Sequence, residues 1–273
     1  MEKGTESKNP LISVIMATFN EPPAFVREAV GSILAQTYRN FELLILDDST
    51  SAETRREIDA LAQEDTRVRV IRKGEKMGFV PALNEGLRQA RGELIARMDG
   101  DDRSEPDRFE KQLDFLRSHP DIDITGGFLN LMNENGKIMS QRRYPVKGFR
   151  FSFYWIFRCP VAHPTVMIRR RRLPDFRYDE SFHKAEDLEL WLRLRNHGAR
   201  FENLPEPLVN YRVVGDLGAK RGKSQLTHIW KARSKNFSWS HALFDIPSLF
   251  ASLSYFFIPQ HLISRFYKRE NRQ

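Results

Sequence analysis

The first hundred residues alternate between short apolar runs and longer stretches in which apolar positions recur with a helical period. Runs of four to eight apolar residues, many of them β-branched, predict strands buried on both faces. These runs are 11–18, 41–46, 68–71 and 94–98. The stretches between them predict helices over 24–36, 52–64 and 80–91, the last closed by Gly92. Strand and helix alternating with short links predict a doubly wound, mainly parallel α/β sheet.

The pattern is less regular after residue 103. It predicts a helix over 107–118, a strand over 124–133 leading to a turn at Asn135–Gly136, and a strand over 163–168. The four arginines 169–172 favour a solvated edge over a binding site. A helix opening at Ala185 and closed by Gly198 carries Glu186 and Asp187 in its first turn, where the helix dipole favours carboxylates. That position would also keep a general base ionised.

Polar and acidic side chains follow three of the four predicted parallel strands. They are Thr18 and Glu21, then Asp47 and Asp48, then Asp99, Asp101 and Asp102. In a parallel sheet these strand ends meet at one edge, where ligands bind. Alternation places Asp99 and Asp101 on the same side, which suits a hard dication shared with phosphates. An acidic turn that only caps the next helix is the structural alternative, but convergence at three strand ends favours a site.

The absence of two known phosphate-binding motifs limits the kinds of nucleotide-binding module that this chain could form. No Gly-x-Gly-x-x-Gly follows the first strand, and no Gly-x-x-x-x-Gly-Lys-Ser/Thr occurs. Both a dinucleotide-binding module and a P-loop are therefore disfavoured. The acidic strand ends indicate a metal-bridged diphosphate, with carboxylates accepting hydrogen bonds from a base or ribose.

Composition and charge divide the chain of 273 residues into regions. It is 40% hydrophobic and 29% charged, as expected of a folded protein. Its one cysteine, Cys159, excludes an intrachain disulfide and favours a reducing compartment, and no secretory signal is visible in residues 1–10. Residues 217–273 hold ten lysines and arginines against two acidic residues, an excess equal to the net charge of +8. We therefore predict a flexible 1–10, one main folded domain over 11–216 with halves 11–102 and 103–216, and an extension 217–273.

The basic extension predicts an anionic partner, either a membrane surface or nucleic acid. Residues 242–263 are rich in phenylalanine, leucine and isoleucine, but polar residues and prolines interrupt them. They are too interrupted for a spanning helix and have basic residues on both sides. The stretch is typical of an interfacial membrane anchor, which we favour, or of a helical lid packed on the domain.

Taken in order, these pieces resemble glycosyltransferase family 2, the inverting enzymes with a GT-A fold. The resemblance covers about 11–213 and rests on several motifs in the right sequence. The matching stretches are Ser13–Glu21, Ser32–Ser49, Ala82–Leu87, Ala90–Asp102, His163–Thr165 and Glu186–Leu194.

The resemblance implies a nucleotide diphosphate-sugar donor, with a UDP-sugar favoured, and assigns roles to particular residues. Thr18, Glu21 and Asp48 would contact the base and ribose, and Asp99 would lie near the ribose. Asp101 would bind Mn²⁺ or Mg²⁺ that bridges the diphosphate. Asp187 would be the base that deprotonates the acceptor hydroxyl. Glu186 would support the acceptor side or the local geometry. His163 would contact the substrate, although a strand histidine with a satisfied hydrogen-bond partner is equally consistent.

Two departures from the family pattern bear on these roles. Many relatives carry a histidine after the Tyr-Arg near the end of the domain, where this chain has Val214, so metal binding rests on Asp101, the diphosphate and water, or on Asp216. The Gln-x-x-Arg-Trp motif of processive members is absent, which favours transfer of a single sugar.

Three functions stay open on the sequence alone. The leading one is sugar transfer to a lipid-linked glycan for a surface polysaccharide, by an enzyme peripheral on the cytoplasmic face of the inner membrane. The second is transfer to a polyprenyl phosphate, where no strong base is required. The third, from a different class and disfavoured, is a non-catalytic protein that binds nucleic acid through the basic tail. The leading prediction excludes a nucleic-acid partner.

Overall fold

The computed structural model describes residues 7–173, 176–215 and 223–254. Its strands are β1 (Ile12–Thr18), β2 (Phe41–Asp47), β3 (Val68–Ile71), β4 (Leu94–Asp99), β5 (Arg103–Ser104), β6 (Ile124–Met132), β7 (Ile138–Arg142), β8 (Met167–Arg169) and β9 (Phe201–Arg212). Its helices are α1 (Pro23–Leu34), α2 (Ala52–Glu64), α3 (Phe79–Gln89), α4 (Arg108–Ser118), α5 (Gly148–Tyr154), α6 (Glu186–Asn196), α7 (Lys223–Lys235) and α8 (Ala242–Ser254).

The strands of the described residues form one sheet in the order β3-β2-β1-β4-β8-β6-β9-β5, with β7 paired to β6. The first four strands pair in parallel, as the apolar pattern predicts. Ala17 stands opposite Asp99 and Thr18 opposite Asp47, so the polar ends of β1, β2 and β4 lie at one edge. β8 joins β4 antiparallel, which makes the sheet mixed but mostly parallel in its first half.

Helices cover both faces of the parallel strands. Val14 and Met16 of β1 pack with α1, α2 and α4 on one face, while Ile15 packs with α3 on the other. Alternate residues of a strand point to opposite faces, and both faces are apolar here because both are buried. The predicted doubly wound α/β class is confirmed.

Two predictions for the second half are wrong: the start of the strand over 163–168 and the exposure of Arg169. Residues 163–165 form a short 3₁₀ helix and not a strand, since Pro164 lacks a ladder donor and fits the first turn of a helix. The strand begins only at Met167. Arg169, predicted to be solvated, is 4% exposed, and its Nε donates to the carbonyl of Ile122 at 2.8 Å.

Gly92 was also assigned the wrong role. α3 ends at Gln89, and the cap residue Ala90 has an extended backbone. A Cβ on Gly92 would lie 2.6 Å from both the carbonyl oxygen of Leu11 and the amide nitrogen of Ser13. Glycine is therefore required here by close backbone approach to β1 and not by helix capping.

The described part of the extension packs on the domain. Asp245 of α8 accepts two hydrogen bonds of 2.8 Å from Nη2 of Arg195, and both residues are buried. Nη1 of Arg233 in α7 donates to the carbonyl of Trp155 at 2.6 Å. In the described ranges, no helix has the length and apolar character needed to cross a bilayer. The rest of the predicted anchor, 255–263, lies outside the described residues, as does Asp216.

Candidate active site

Three carboxylates, called the strand-end cluster below, meet at the carboxyl edge of the parallel strands. Asp99 ends β4, Asp101 lies in the turn that follows, and Glu21 lies in the loop after β1. Burial raises the pKa of Glu21 to about 7, and the charges of Asp101 and Asp99 add to the rise. Burial and the charge of Asp99 raise the pKa of Asp101 to about 6. The three side chains are therefore close enough to repel one another.

Arg97 in β4 faces this cluster with a buried positive charge. Its guanidinium, 5% exposed, binds both oxygens of Asp99, with Nη1 lying 2.6 Å from Oδ2 and Nη2 in contact with Oδ1. Its Nε finds no hydrogen-bond partner among the described residues. Sequence reasoning missed Arg97 because it lies inside an apolar run. Its two-residue spacing from Asp99, which puts both on one face of the strand, is the signal that could have found it.

Arg212, at the end of β9, fixes the turn that carries Asp101. Its amide donates to Oδ1 of Asp102 at 2.8 Å, and its Nε donates to the carbonyl of Asp101 at 2.7 Å. Its Nη2 reaches Oε2 of Glu28 in α1 at 2.6 Å. Asp102 is fully buried, and its hydrogen bond from Arg212 holds the turn in place, while Asp101 remains partly accessible.

Thr18 and Asp48, predicted to contact the nucleotide, already make hydrogen bonds within the strand-end loops. Oγ1 of Thr18 donates to Oδ1 of Asp47 at 3.3 Å. The two oxygens of Asp48 accept from the amides of Met77 at 3.0 Å and Gly78 at 2.6 Å. Asp48 thus anchors the loop before α3, and its role as a nucleotide contact stays a prediction.

Asn20 organises the loop that presents Glu21. Its φ of 60° is left-handed, a region that asparagine tolerates better than most residues. Its Oδ1 accepts from the amides of Thr50 at 2.7 Å and Ser51 at 2.8 Å. These contacts tie the ends of β1 and β2 together beside the cluster.

Glu186 and Asp187, called the helix-start pair below, open α6 after Ala185, whose φ is also 60°. Burial and the charge of Asp187 raise the pKa of Glu186 to about 7. Arg97 opposes that rise and Asp99 adds to it. The helix-start pair therefore lies within electrostatic reach of the strand-end cluster, and Arg97 acts on both groups.

Tyr178 lies within electrostatic reach of both groups and supports His163. Burial raises its pKa, and the charges of Arg97, Glu186, Asp187 and Asp99 all act on it. Its hydroxyl is 2.7 Å from Nε2 of His163, which is 8% exposed and meets Trp191 edge-on. Burial and the charge of Arg97 lower the pKa of His163 well below its usual value, so the imidazole is neutral. His163 thus has the satisfied partner of the structural alternative, and its contact with substrate stays a prediction.

The strand-end cluster fits a hard dication that takes further ligands from phosphate and water. Carboxylate oxygens are the donors that Mg²⁺ and Mn²⁺ prefer. Beside the cluster, Oδ2 of Asp102 is buried with no hydrogen-bond partner in the described ranges, and burial and the charges of Asp99 and Asp101 raise the pKa of this carboxyl well above its usual value. Within those ranges, no three histidine, cysteine or carboxylate side chains are placed to hold a metal by themselves. The remaining ligands would therefore come from a bound diphosphate and from water.

Comparison with known proteins identifies the family. The family model described as glycosyl transferase family 2 matches residues 13–175. The chain belongs to glycosyltransferase family 2. The O-antigen biosynthesis glycosyltransferase WbnJ of Escherichia coli is 34% identical over 74% of this chain and 80% of its own length. The amylovoran biosynthesis glycosyltransferase AmsE of Erwinia amylovora is 27% identical over 77% of this chain and 79% of its own.

Solved structures show the same fold as this glycosyltransferase. The mannosyltransferase PcManGT of Pyrobaculum calidifontis, in complex with GDP-Man and Mn²⁺, has a TM-score of 0.67 and 16% identity over 98% of this chain and 75% of its own. Residues 1–349 of TarS from S. aureus, in complex with UDP-GlcNAc, have a TM-score of 0.65 and 17% identity over 84% of this chain and 68% of theirs. The family and fold confirm the predicted GT-A class and a nucleotide-sugar-dependent glycosyltransferase, which rules out the non-catalytic alternative.

Proposed function

We propose that this glycosyltransferase moves one sugar, with inversion, from a nucleotide diphosphate-sugar to a hydroxyl of a lipid-linked glycan during surface polysaccharide biosynthesis. One observation carries the proposal: two separate carboxylate groups, the strand-end cluster and the helix-start pair, lie close to the same buried Arg97, which binds Asp99 and also acts on the charge of Glu186. An in-line displacement needs this division, because the leaving diphosphate and the attacking hydroxyl lie on opposite sides of the sugar.

The strand-end cluster is proposed to receive the donor. Asp101 would hold Mn²⁺ or Mg²⁺, and the bound dication would supply positive charge to the departing diphosphate. Arg97 keeps Asp99 oriented and limits the negative charge that faces the phosphates. Thr18, Glu21 and Asp48 would form the wall for base and ribose. The donors bound by PcManGT and TarS, GDP-Man and UDP-GlcNAc, support this donor class, and a UDP-sugar remains our favoured choice.

The helix-start pair is proposed to activate the acceptor. Asp187 takes the proton as the acceptor oxygen bonds to the anomeric carbon and the bond from that carbon to the phosphate oxygen breaks. Glu186, with a pKa near 7, is partly protonated at neutral pH and can donate a hydrogen bond to the acceptor or to Asp187. No covalent intermediate is required for a single displacement.

The acceptor and location are proposed from relatives and from the basic extension. WbnJ and AmsE are named for O-antigen and amylovoran biosynthesis, which supports a surface polysaccharide as the product. We propose that residues 217–273 hold the enzyme on the cytoplasmic face of the inner membrane, where anionic lipids attract basic segments. A lipid-linked acceptor would then lie in the same membrane.

The decisive experiment is a panel of UDP- and GDP-sugars tested by calorimetry with and without Mn²⁺, on the wild type and on Asp101→Ala. We expect one donor to bind in a metal-dependent manner and to lose at least about tenfold in affinity in the variant, as removal of a charged ligand implies. Asp114→Ala, which removes an exposed carboxylate of α4, is the control. Failure of every donor to bind under any metal condition would refute the proposal.

A further inference from the structure

Helix α8 is amphipathic, but it buries its polar side and exposes its apolar side. Its polar residues Asp245, Ser248 and Ser252 are buried against the protein, whereas its apolar residues point outward. The outward residues, spaced three and four apart, are Leu243, Ile246, Phe250 and Leu253, with Leu243 73% and Phe250 68% exposed. The buried ion pair between Asp245 and Arg195 holds this orientation, so the apolar face is a built feature and not the result of a loosely placed helix.

Helix α5 of the catalytic domain and the turn that follows it extend the same surface. Phe149, Phe153 and Phe157 follow one another at four-residue intervals, all exposed, with ring centroids 6.0 and 5.8 Å apart. Phe149 also contacts Phe244 of α8, at 6.1 Å between centroids. The name α5–α8 face is used below for these three phenylalanines, Phe244 and the outward residues of α8. Exposed apolar surface of this continuity marks an interaction site.

The charges around this face indicate which kind of partner it binds. Residues 137–158 carry six lysines and arginines and no acidic residue, and Arg143, Lys147 and Arg150 among them are exposed. The sequence that follows α8, 255–273, adds four more basic residues against one acidic residue. In a symmetric dimer through this face, two such basic borders would repel each other. A bilayer with anionic headgroups satisfies both the apolar centre and the basic border.

We propose that the α5–α8 face lies in the surface of an anionic membrane, with the three phenylalanines of the catalytic domain inserted beside helix α8. The inference deepens the proposed function, since it names the surface that meets the membrane of the lipid-linked acceptor. It also gives a spacing between the site and this surface. Arg195 lies nine residues from Glu186 along α6, so the helix-start pair stands roughly 14 Å along the helix axis from the residue that anchors α8.

The test is co-sedimentation of the full chain with vesicles of phosphatidylcholine, with and without phosphatidylglycerol. Phe149→Ser/Phe153→Ser removes the α5 part of the face, and Leu243→Ser/Phe250→Ser removes the α8 part. Ile138→Ser/Met139→Ser is the matched control on β7, where the two side chains are 50% and 53% exposed. We expect the wild type to bind the anionic vesicles, each face variant to lose about tenfold or more in partitioning, and the control to stay within about twofold.

Three results would overturn the inference: no binding by the wild type, wild-type binding by the α5 variant, or a wild-type dimer in sedimentation velocity that the face variants convert to monomer. Donor binding measured on the same preparations separates this inference from the proposed function. Face variants that bind donor but not vesicles support the face. A wild type that binds vesicles but no donor would leave the face standing and refute only the proposed function.

Discussion

Two glutamates of the active site follow residues in the same uncommon backbone conformation, and their surroundings differ. Asn20 and Ala185, each with φ of 60°, are the non-glycine residues with positive φ in the described ranges. Each precedes a glutamate, Glu21 or Glu186, whose pKa is raised to about 7. Asn20 offsets the cost of its conformation with side-chain hydrogen bonds to the loop after β2. Ala185 has no side chain that could do so.

The difference shows how the two sides of the site are built. The strand-end side is assembled from loops of adjacent parallel strands, and hydrogen bonds between those loops hold it. The helix-start side depends on packing, because Leu188, Trp191 and Leu192 of α6 are buried in the core and drive the helix into place. Backbone strain at Ala185 is therefore balanced by hydrophobic contacts further along the helix.

The largest expected effect tests the chemical division between the two sides. Asp187→Asn should lower transfer about 10³-fold with donor affinity unchanged, because general-base catalysis contributes about 10²- to 10⁴-fold. Glu186→Gln, the matched change one residue earlier, should lower transfer by about tenfold, because glutamine keeps the shape of the side chain and can still form hydrogen bonds. Both are measured as turnover and donor affinity on one preparation. Full turnover in Asp187→Asn would favour a phosphate acceptor such as polyprenyl phosphate, which needs no base.

The second effect concerns the charge balance of the strand-end side. Arg97→Gln should lower the free energy of unfolding by about 3 kcal/mol, because it leaves Asp99 without its buried partner. Adding Asp99→Asn should restore at least about 1 kcal/mol, since neighbouring charges couple. Urea unfolding of the wild type, both single variants and the double variant measures the cycle. Additive effects would show that Arg97 does not act through Asp99.

The parallel half of the fold was predictable because its signals are local. Each strand from 12 to 99 is a contiguous apolar run, and helix α2 was predicted at its observed bounds, with Ser51 accepting from the amide of Thr54 at its start. Strand β9 was not predicted, since Pro205 and Pro207 argue against a strand. The sheet tolerates them through register shifts between β6 and β9 near Phe128.

A residue of the site was predictable where its type and its position in the sequence are enough to indicate its chemistry. Carboxylates at strand ends are unusual enough to be noticed, and the structure brings Glu21, Asp99 and Asp101 together. Arg97 and Tyr178 were missed, and Arg212 was noted as part of the Tyr-Arg pair but given no role, because their importance depends on contacts between residues far apart in the chain. Tyr178, for example, meets His163 only through the fold of an irregular segment.

The third effect is a pH dependence of stability that both glutamates should share. A raised pKa means that folding favours the protonated form. The contribution of each protonated glutamate to stability is therefore fully present below about pH 4.5 and is lost as pH rises through about 7. At pH 8 the free energy of unfolding of Glu21→Gln and of Glu186→Gln should each exceed that of the wild type by about 1–2 kcal/mol, after allowance for solvent screening. Thermal unfolding at pH 5 and 8 measures this, and the advantage should vanish at pH 5. An equal advantage at both pH values would contradict the shared burial of the two carboxylates.

The smallest effect returns to the two left-handed residues, which should respond to glycine with opposite signs. Ala185→Gly should raise the free energy of unfolding by about 1 kcal/mol, because glycine adopts positive φ without a Cβ clash. Asn20→Gly should lower it by about 1 kcal/mol, since glycine relieves the same conformation but loses the hydrogen bonds to Thr50 and Ser51. Urea unfolding of both variants in one buffer makes the comparison direct. If Asn20→Gly instead raised the free energy of unfolding as Ala185→Gly does, the loop contacts of Asn20 would contribute nothing that Ala185 lacks, and the two sides of the site would be held by the same means.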